Sequence, residues 1–349
     1  MMIDITSNVL FLIADAVIFL NFRKHRTPVA FAGFLAAGGA LAVFSSPVLG
    51  GGAFGMMRVM AWAIFVHGIV LLVGGAILLR TASRRTAIAA GAVALLIAIV
   101  GVDAFFVEPH ALQVTRIRIR SSKLNRPLRI AIVADLQTDE VGPYERAALA
   151  LAKSENPHLV LFAGDYLQEH DDARRAKLIP ELKKALKEAG FRDLRGALAV
   201  EGNCDSDDWP AIFEGTGIAA TKETRTIRDG DLQITALSLN DSFDPRLSVE
   251  PSNLFHIAVG HAPDYALGNV QADLLVAGHT HGGQVRLPLI GPLITLSSVP
   301  RSWAAGMTEL SGGRTLIVSR GIGLERGNAP RLRFLCRPEL VIVEVVPTE

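Results

Sequence analysis

The chain has 349 residues, half of them apolar, with a mean hydropathy of +0.35 and 35 Lys and Arg against 34 Asp and Glu. A net charge of +1 with no long basic block leaves no electrostatic footprint for nucleic acid, and two cysteines, Cys204 and Cys336, are too few for a disulfide framework. Few charges fall before about residue 106 and nearly all carboxylates fall after it, so residues 1–107 read as a membrane region and 108–349 as a globular domain.

Four apolar runs, 3–22, 29–49, 57–79 and 87–106, match the roughly 20 residues that a helix needs to cross a bilayer. No basic stretch precedes the first run, so it does not read as a cleavable signal. The first connection carries Arg23, Lys24 and Arg26 and the third carries Arg80, Arg84 and Arg85, while the second has only Arg58. The positive-inside rule then places connections one and three in the cytoplasm and both termini outside. The basic residues Arg116, Arg118, Arg120, Lys123 and Arg126 just after the fourth run pull the other way. Asp15 and His67 lie inside runs one and three and are read as facing the bundle interior or an interface.

From about residue 112 strands alternate with helices. Residues 114–120 alternate apolar and basic side chains, the pattern of a strand with one wet face. Apolar runs at 128–134, 158–163, 197–200, 256–259 and 274–277 end in polar, turn-forming residues, and helical stretches at 144–153, 174–189 and 207–213 separate the early ones. Later strand-like segments at 231–239, 314–320, 331–334 and 340–346 are expected to form a second sheet. Active sites of such α/β layouts gather at the C-terminal ends of strands.

What stands at those ends is Asp135-Leu-Gln137, Gly164-Asp165, Gly202-Asn203-Cys204-Asp205, Gly260-His261 and Gly278-His279-Thr280-His281. Acids, an amide and imidazoles drawn from five strand ends are metal-site chemistry. In this order the chain resembles the calcineurin-like metallophosphoesterases, over roughly residues 112–349. The ending Gly278-His279-Thr280-His281-Gly282-Gly283-Gln284, with Pro288 and Ser319-Arg320-Gly321-Ile322-Gly323, is similar to the bacterial membrane-associated phosphodiesterase branch. UDP-2,3-diacylglucosamine hydrolases of the lipid A pathway fall in or near that branch.

The resemblance implies a four-layer αββα sandwich, here preceded by an all-α four-helix transmembrane region. It also implies two divalent ions (Mn, Fe or Zn, with Mn favoured) bridged by Asp165 and a water or hydroxide. Asp135, Gln137 and His281 would complete the first site and Asn203, His261 and His279 the second; Asn203, Cys204, Asp205 and His261 would be the catalytic set. Two residues depart from the family pattern. Gln137 replaces a histidine with a harder, weaker oxygen donor. Cys204 replaces the histidine that assists the leaving group, and a thiol near pKa 8.5 is a poorer proton donor than an imidazolium. Asp205 either orients its neighbours or caps the helix after it, and Arg320 either reaches a substrate phosphate or forms a salt bridge.

The expected function is therefore a membrane-anchored, two-metal phosphoester hydrolase acting on a phosphodiester or pyrophosphate through a metal-bridging hydroxide. Its substrate would be lipid-linked or envelope-derived, its domain extracytoplasmic, and no protein partner is evident. The alternatives are a UDP-2,3-diacylglucosamine-type pyrophosphatase and a catalytically weak membrane sensor that holds a metal or a phosphate.

Overall fold

The structure, a computed structural model, describes residues 2–191 and 196–348. The chain divides into two compact units, residues 1–107 with 327–331, and residues 108–326 with 332–349.

The first unit is helical. Helices α1 (Met2–Phe22), α2 (Pro28–Gly50), α3 (Ala53–Leu79) and α4 (Arg84–Val102) follow the four apolar runs, and each lies in a stretch long and apolar enough to cross a membrane. Local chemistry sets their ends. Thr27 caps α2 by accepting from the Ala30 amide, Pro28 supplies a helical φ at the first position, and Gly51 closes the helix at φ 65°. Leucine, isoleucine and valine on the outward faces stay exposed, while Phe22, Phe31, Leu72, Leu79 and Ala94 fill the interior. Asp15 and His67 do face inward and meet at 2.7 Å, His67 being carried on a π-helical turn, Ala63–Gly68, inside α3.

The second unit has two six-stranded sheets. The first holds β1 (Gln113–Ser121), β2 (Leu128–Val133), β3 (Leu159–Phe162), β4 (Gly196–Val200) and β5 (Ala219–Thr221). The second holds β6 (Arg225–Asp229), β7 (Leu232–Ala236), β8 (Phe255–Val259), β9 (Leu274–Ala277), β10 (Gly306–Glu309) and β11 (Thr315–Val318). The last strand, β12 (Glu339–Pro347), enters the first sheet, giving the order β1-β12-β2-β3-β4-β5; the second runs β10-β11-β9-β8-β7-β6.

Two-residue periodicity builds the layers. Along β2, Ala131 and Val133 face helices α5 (Pro143–Ser154) and α6 (Asp172–Ala189), while Ile130 and Ile132 face the second sheet with Leu161, Ile257, Val276 and Val343. The outer face of the second sheet buries Leu237, Ala258, Leu275 and Val318 with Tyr265, from the short turn Asp264–Leu267, in place of a long helix. The sandwich of the metallophosphoesterase fold is thus present, with a thin fourth layer.

Three expectations change. Segment 340–346 belongs to the first sheet, where β12 pairs parallel to β1 and antiparallel to β2. Segment 331–334 is no strand: its Arg-Leu-Arg-Phe alternation hides a buried Arg333, and Phe334 makes only an isolated bridge to Val285. Within 207–213 only a single 3-10 turn forms, Trp209–Ile212. The basic face of β1 is a solvated edge, with Arg116 paired to Glu155 and Arg118 to Glu344.

Candidate metal centre

Asp135, Asp165 and Asn203 follow β2, β3 and β4 of the first sheet; His261 and His279 follow β8 and β9 of the second. The centre therefore sits where the C-terminal ends of both sheets meet. The loops are tied to one another by backbone. Asp135 N–H donates to the Gly164 carbonyl (3.1 Å), Gln137 N–H to that of Asp165 (2.8 Å), and Gly278 N–H to that of His261 (2.9 Å). The His279 amide donates to the Asp135 carboxylate at 3.0 and 3.1 Å.

The backbone is strained where the motif residues turn inward. Among the described residues ten non-glycines have positive φ, and five of them are Asp135, Gln137, Asp165, His279 and His281, at 39–68°. Each such residue costs roughly 1 kcal/mol or more and survives only where surrounding contacts hold it. Close packing does the holding. A Cβ on Gly278 would lie 2.8 Å from the Asp135 carboxylate, and one on Gly202 would lie 2.1 Å from the Asp165 nitrogen.

Ligand atoms of Asp135, Asp165 and His261 all lie within 4.8 Å of one another, and all three residues are buried. His261 Nδ1 donates to the Ala163 carbonyl (2.8 Å), which leaves its Nε2 lone pair facing the Asn203 Oδ1 at 2.9 Å and the Asp165 Oδ2 at 3.5 Å. A lone pair aimed at two oxygen acceptors is repulsive, and a cation among them would relieve it. The His261 and His279 rings are 5.0 Å apart, and His279 Nε2 donates to the Leu296 carbonyl (3.0 Å), freeing its other nitrogen. Two further buried donor atoms, Gln137 Oε1 and His281 Nε2, have no hydrogen-bond partner.

Electrostatics point the same way. Burial raises the Asp135 carboxyl well above its ordinary value, helped by the Asp165 charge, and burial raises Asp165 as well. Burial lowers His261 to about 4, burial and the neighbouring His261 lower His279 to about 4, and burial with the nearby Arg333 lowers His281. Crowded buried acids beside imidazoles kept neutral are a set that a divalent cation would relieve. The residues present fit such an ion.

Asp205 orients its neighbours: its carboxylate accepts from the backbone amides of Asp165 (2.9 Å), Tyr166 (2.8 Å) and Gly202 (2.8 Å), clamping two motif loops together. The Cys204 amide donates to Asp165 Oδ1 (2.8 Å), and its thiol accepts from the side-chain amides of Gln137 (3.2 Å) and Gln168 (3.3 Å). Burial, and then the Asp165 and Glu325 charges, push that thiol far above its ordinary range, so it stays protonated. Arg320 pairs with Glu339 at 3.0 Å, the salt-bridge alternative, and Asp139 pairs with Arg326 at 3.6 Å.

Three residues at the centre carry no motif. Glu325 accepts from Gln137 Nε2 (3.0 Å) and Gln168 Nε2 (2.6 Å). That bond fixes the Gln137 amide with its oxygen, Oε1, as the unpartnered atom. Gln168 in turn receives the Arg326 amide on its oxygen. Buried Arg333 donates to the carbonyls of Gly323 (2.6 Å), Arg320 (2.8 Å) and Cys336 (3.0 Å). It thereby braces the loop whose Gly323 amide caps the Asp135 carbonyl at 2.7 Å. The one sequence signal for Glu325 was its place two residues beyond the Gly321-Ile322-Gly323 run.

A family model described as calcineurin-like phosphoesterase matches residues 128–283, spanning β2 through the His279–His281 motif. An uncharacterized metallophosphoesterase of Bacillus subtilis, YkuE, is 30% identical over 264 residues, covering 70% of this chain and 88% of its own length. The phosphodiesterase YaeI of Escherichia coli is 28% identical over 255 residues, covering 69% and 91%. An uncharacterized metallophosphoesterase of Aquifex aeolicus is 25% identical over 273 residues, covering 68% and 93%. Together with the convergence of acids and imidazoles from both sheets, these matches establish that the chain belongs to the calcineurin-like phosphoesterases, metal-dependent hydrolases of phosphoric esters.

Proposed function

We propose that the chain is a membrane-anchored, two-metal phosphodiesterase acting on a substrate at the bilayer surface. The observation that carries this reading is the buried cluster of Asp135, Asp165 and His261 with the unpartnered Gln137 Oε1 and His281 Nε2 around it. Asp165 would be shared between two ions, with Asp135, Gln137 and His281 completing one set and Asn203, His261 and His279 the other. Bound divalent ions supply charge neutralisation on the phosphoryl oxygens and a lowered pKa for water. Oxygen-rich donors, Gln137 among them, favour Mn over softer-ligand metals.

The chain's own residues divide the remaining work. Asp205 holds the Asp165 and Asn203 loops in register through three amides. Asn203 and His261 face each other across the cluster and would position the phosphoryl oxygens. Cys204, kept protonated by burial and the neighbouring Asp165 and Glu325, is a weak acid, which suits a diester with a good leaving group or one protonated by water. Four helices long and apolar enough to cross a membrane would supply the anchor, and the basic residues of connections one and three support a catalytic domain outside the cytoplasm. The name of the Escherichia coli relative, a phosphodiesterase, supports the diester class.

The test is hydrolysis of bis-p-nitrophenyl phosphate by the full chain with added Mn²⁺, beside Asp165→Asn. Turnover that disappears in the variant is the expected result. Turnover that persists, or a folded chain that stays inactive with Mn²⁺, Fe²⁺ and Zn²⁺, rejects this site as a diesterase centre.

A further inference from the structure

Directly after the His279–His281 motif the chain runs from Leu287 to Pro300 without a single charged residue, between Arg286 and Arg301. Its first part is a tight antiparallel pair, Arg286–Leu287 against Gly291–Pro292, with Leu289 and Ile290 at the tip. Leu289, Ile290, Leu293, Ile294 and Leu296 are all exposed; among the described residues beyond Glu108 the other large exposed apolar side chains are Leu267, Met307 and Leu335. Leu335 adjoins the base of this hairpin, where Val285 bridges to Phe334. A soluble domain rarely gathers its exposed leucines and isoleucines in one loop.

Backbone conformation adds a second observation. Leu289 and Leu296 have φ of 66° and 51°, the left-handed region where turns ordinarily place Gly, Asn or Asp. Bulky leucine is kept at strained, solvent-facing positions that glycine would fill at less cost. The base, in contrast, is firmly held. Ser297 Oγ donates to Asp264 at 2.6 Å, the Ser298 amide donates to the same carboxylate at 2.8 Å, and the Leu293 amide donates to Val285. The Leu296 carbonyl receives His279 Nε2 at 3.0 Å, so the apolar loop and a candidate metal ligand are directly joined.

We propose that this hairpin is a wedge that inserts its leucine and isoleucine side chains into the headgroup–acyl boundary of a phospholipid bilayer. The metal centre would then open at headgroup depth, and its substrate would be a phosphoester carried by a membrane lipid. The inference rests on the membrane-anchored phosphodiesterase reading and names its substrate class. A bilayer suits the surface better than a protein partner does. The exposed tip consists of branched aliphatics with no charged residue from 287 to 300, flanked by Arg286 and Arg301, which match anionic headgroups. Within the catalytic unit, Gln113, where β1 begins two residues after the helical stretch Arg84–His110 ends, lies at the same end of the first sheet as the C-terminal end of β2, which carries the metal-centre loop of Asp135.

The test places the photoreactive residue p-benzoylphenylalanine at position 289, 95 or 184 of the full chain in phosphatidylethanolamine–phosphatidylglycerol nanodiscs. Intact mass is measured after irradiation. Leu95 lies exposed on α4 and reports the anchor, whereas Lys184 lies exposed on α6 of the catalytic unit. The expected result is a gain of one phospholipid mass at positions 289 and 95 and none at 184. A lipid adduct at 95 without one at 289 overturns the wedge while leaving the anchor intact. No adduct at 95 overturns the membrane reading itself, and with it the wedge. A protein–protein adduct at 289 also overturns the wedge, assigning the patch to self-association. None of these readouts depends on turnover, so they stand apart from the hydrolysis assay.

Discussion

The chain contains the same three side chains twice, once in each unit, and they do different things. In the helical unit His67 lies between Asp15 (2.7 Å at Nδ1) and Asn8 (3.0 Å at Nε2). In the catalytic unit His261 faces Asn203 at 2.9 Å and Asp165 at 3.5 Å, both through Nε2. In the helical set each ring nitrogen has a single oxygen partner, and Phe11 packs against the ring at 5.1 Å. In the other set a backbone carbonyl occupies Nδ1, both side-chain oxygens crowd the remaining nitrogen, and a second acid, Asp135, lies alongside. Unpartnered Gln137 and His281 atoms and strained motif backbone occur there as well. Residue type alone therefore does not mark a metal centre. What marks it is a donor set that its own hydrogen bonds cannot satisfy.

The largest effect should come from removing the central imidazole of each set. His261→Ala should lower Mn²⁺-dependent diester hydrolysis on the order of a thousandfold, the equivalent of about 4 kcal/mol. His67→Ala should leave hydrolysis within about twofold while destabilising the helical unit by roughly 1–3 kcal/mol, because Asp15 loses its partner. Rates and thermal unfolding on the same two variants separate the roles. Equal losses of activity would break the contrast.

Glycines sharpen it next. Gly202→Ala forces a Cβ to 2.1 Å from the Asp165 nitrogen and 2.2 Å from its Oδ1, so the loops must part. A cost of about 1–3 kcal/mol is expected, together with weaker metal binding. Gly91 in α4 has nothing within 4 Å of where a Cβ would stand, and Gly91→Ala should raise stability by about 0.5–1 kcal/mol. Denaturation midpoints with and without Mn²⁺ read both changes.

This unevenness explains what could be read from sequence. The four apolar helices and the five motif-bearing strand ends are local signals and were legible: long apolar runs in the first case, and in the second short apolar runs stopped by an acid, an amide or an imidazole, four of the five with a glycine just before it. Strand order was not. β12 enters the first sheet beside β1, a pairing of residues more than 200 positions apart that no local pattern encodes. Alternation misled at 331–334, because Arg333 is buried against carbonyl oxygens instead of facing water. Glu325 was missed for a similar reason: it lies 188 residues from Gln137 in a loop without periodicity. The motifs expose the donors, and these supporting contacts exist only in the fold.

Glu325 gives the third prediction. Its bond to Gln137 Nε2 decides which end of that amide is left for an ion. Glu325→Ala frees the amide to rotate and should weaken metal binding by about 10- to 100-fold, the range for contacts that orient a ligand. Glu325→Gln, which can still accept from Gln137, should recover most of it. Mn²⁺ titration followed by electron paramagnetic resonance measures this without reference to turnover. Unchanged affinity in the alanine variant would mean that the Gln137 oxygen is not a ligand.

The smallest change is expected from pH, and it tests how closed the centre is before metal enters. Burial holds His261 and His279 at about 4, below the 6.5 of an unfolded histidine. As pH falls from about 6.5 to about 4, the unfolded chain takes up protons that the folded chain refuses. The stability associated with these rings is therefore complete above 6.5 and lost on acidification. Asp135 and Asp165 act in the opposite sense: their raised carboxyls take up protons in the folded state first, which favours folding as pH falls. Because the two contributions oppose each other, the rings themselves are the cleaner readout. In the metal-free protein the ¹⁵N shifts of His261 and His279 should stay flat from pH 7 to 5. Either ring titrating near 6.5 would mean that water reaches the cluster freely, and that the centre is ordered by its ion and not by the packing that surrounds it.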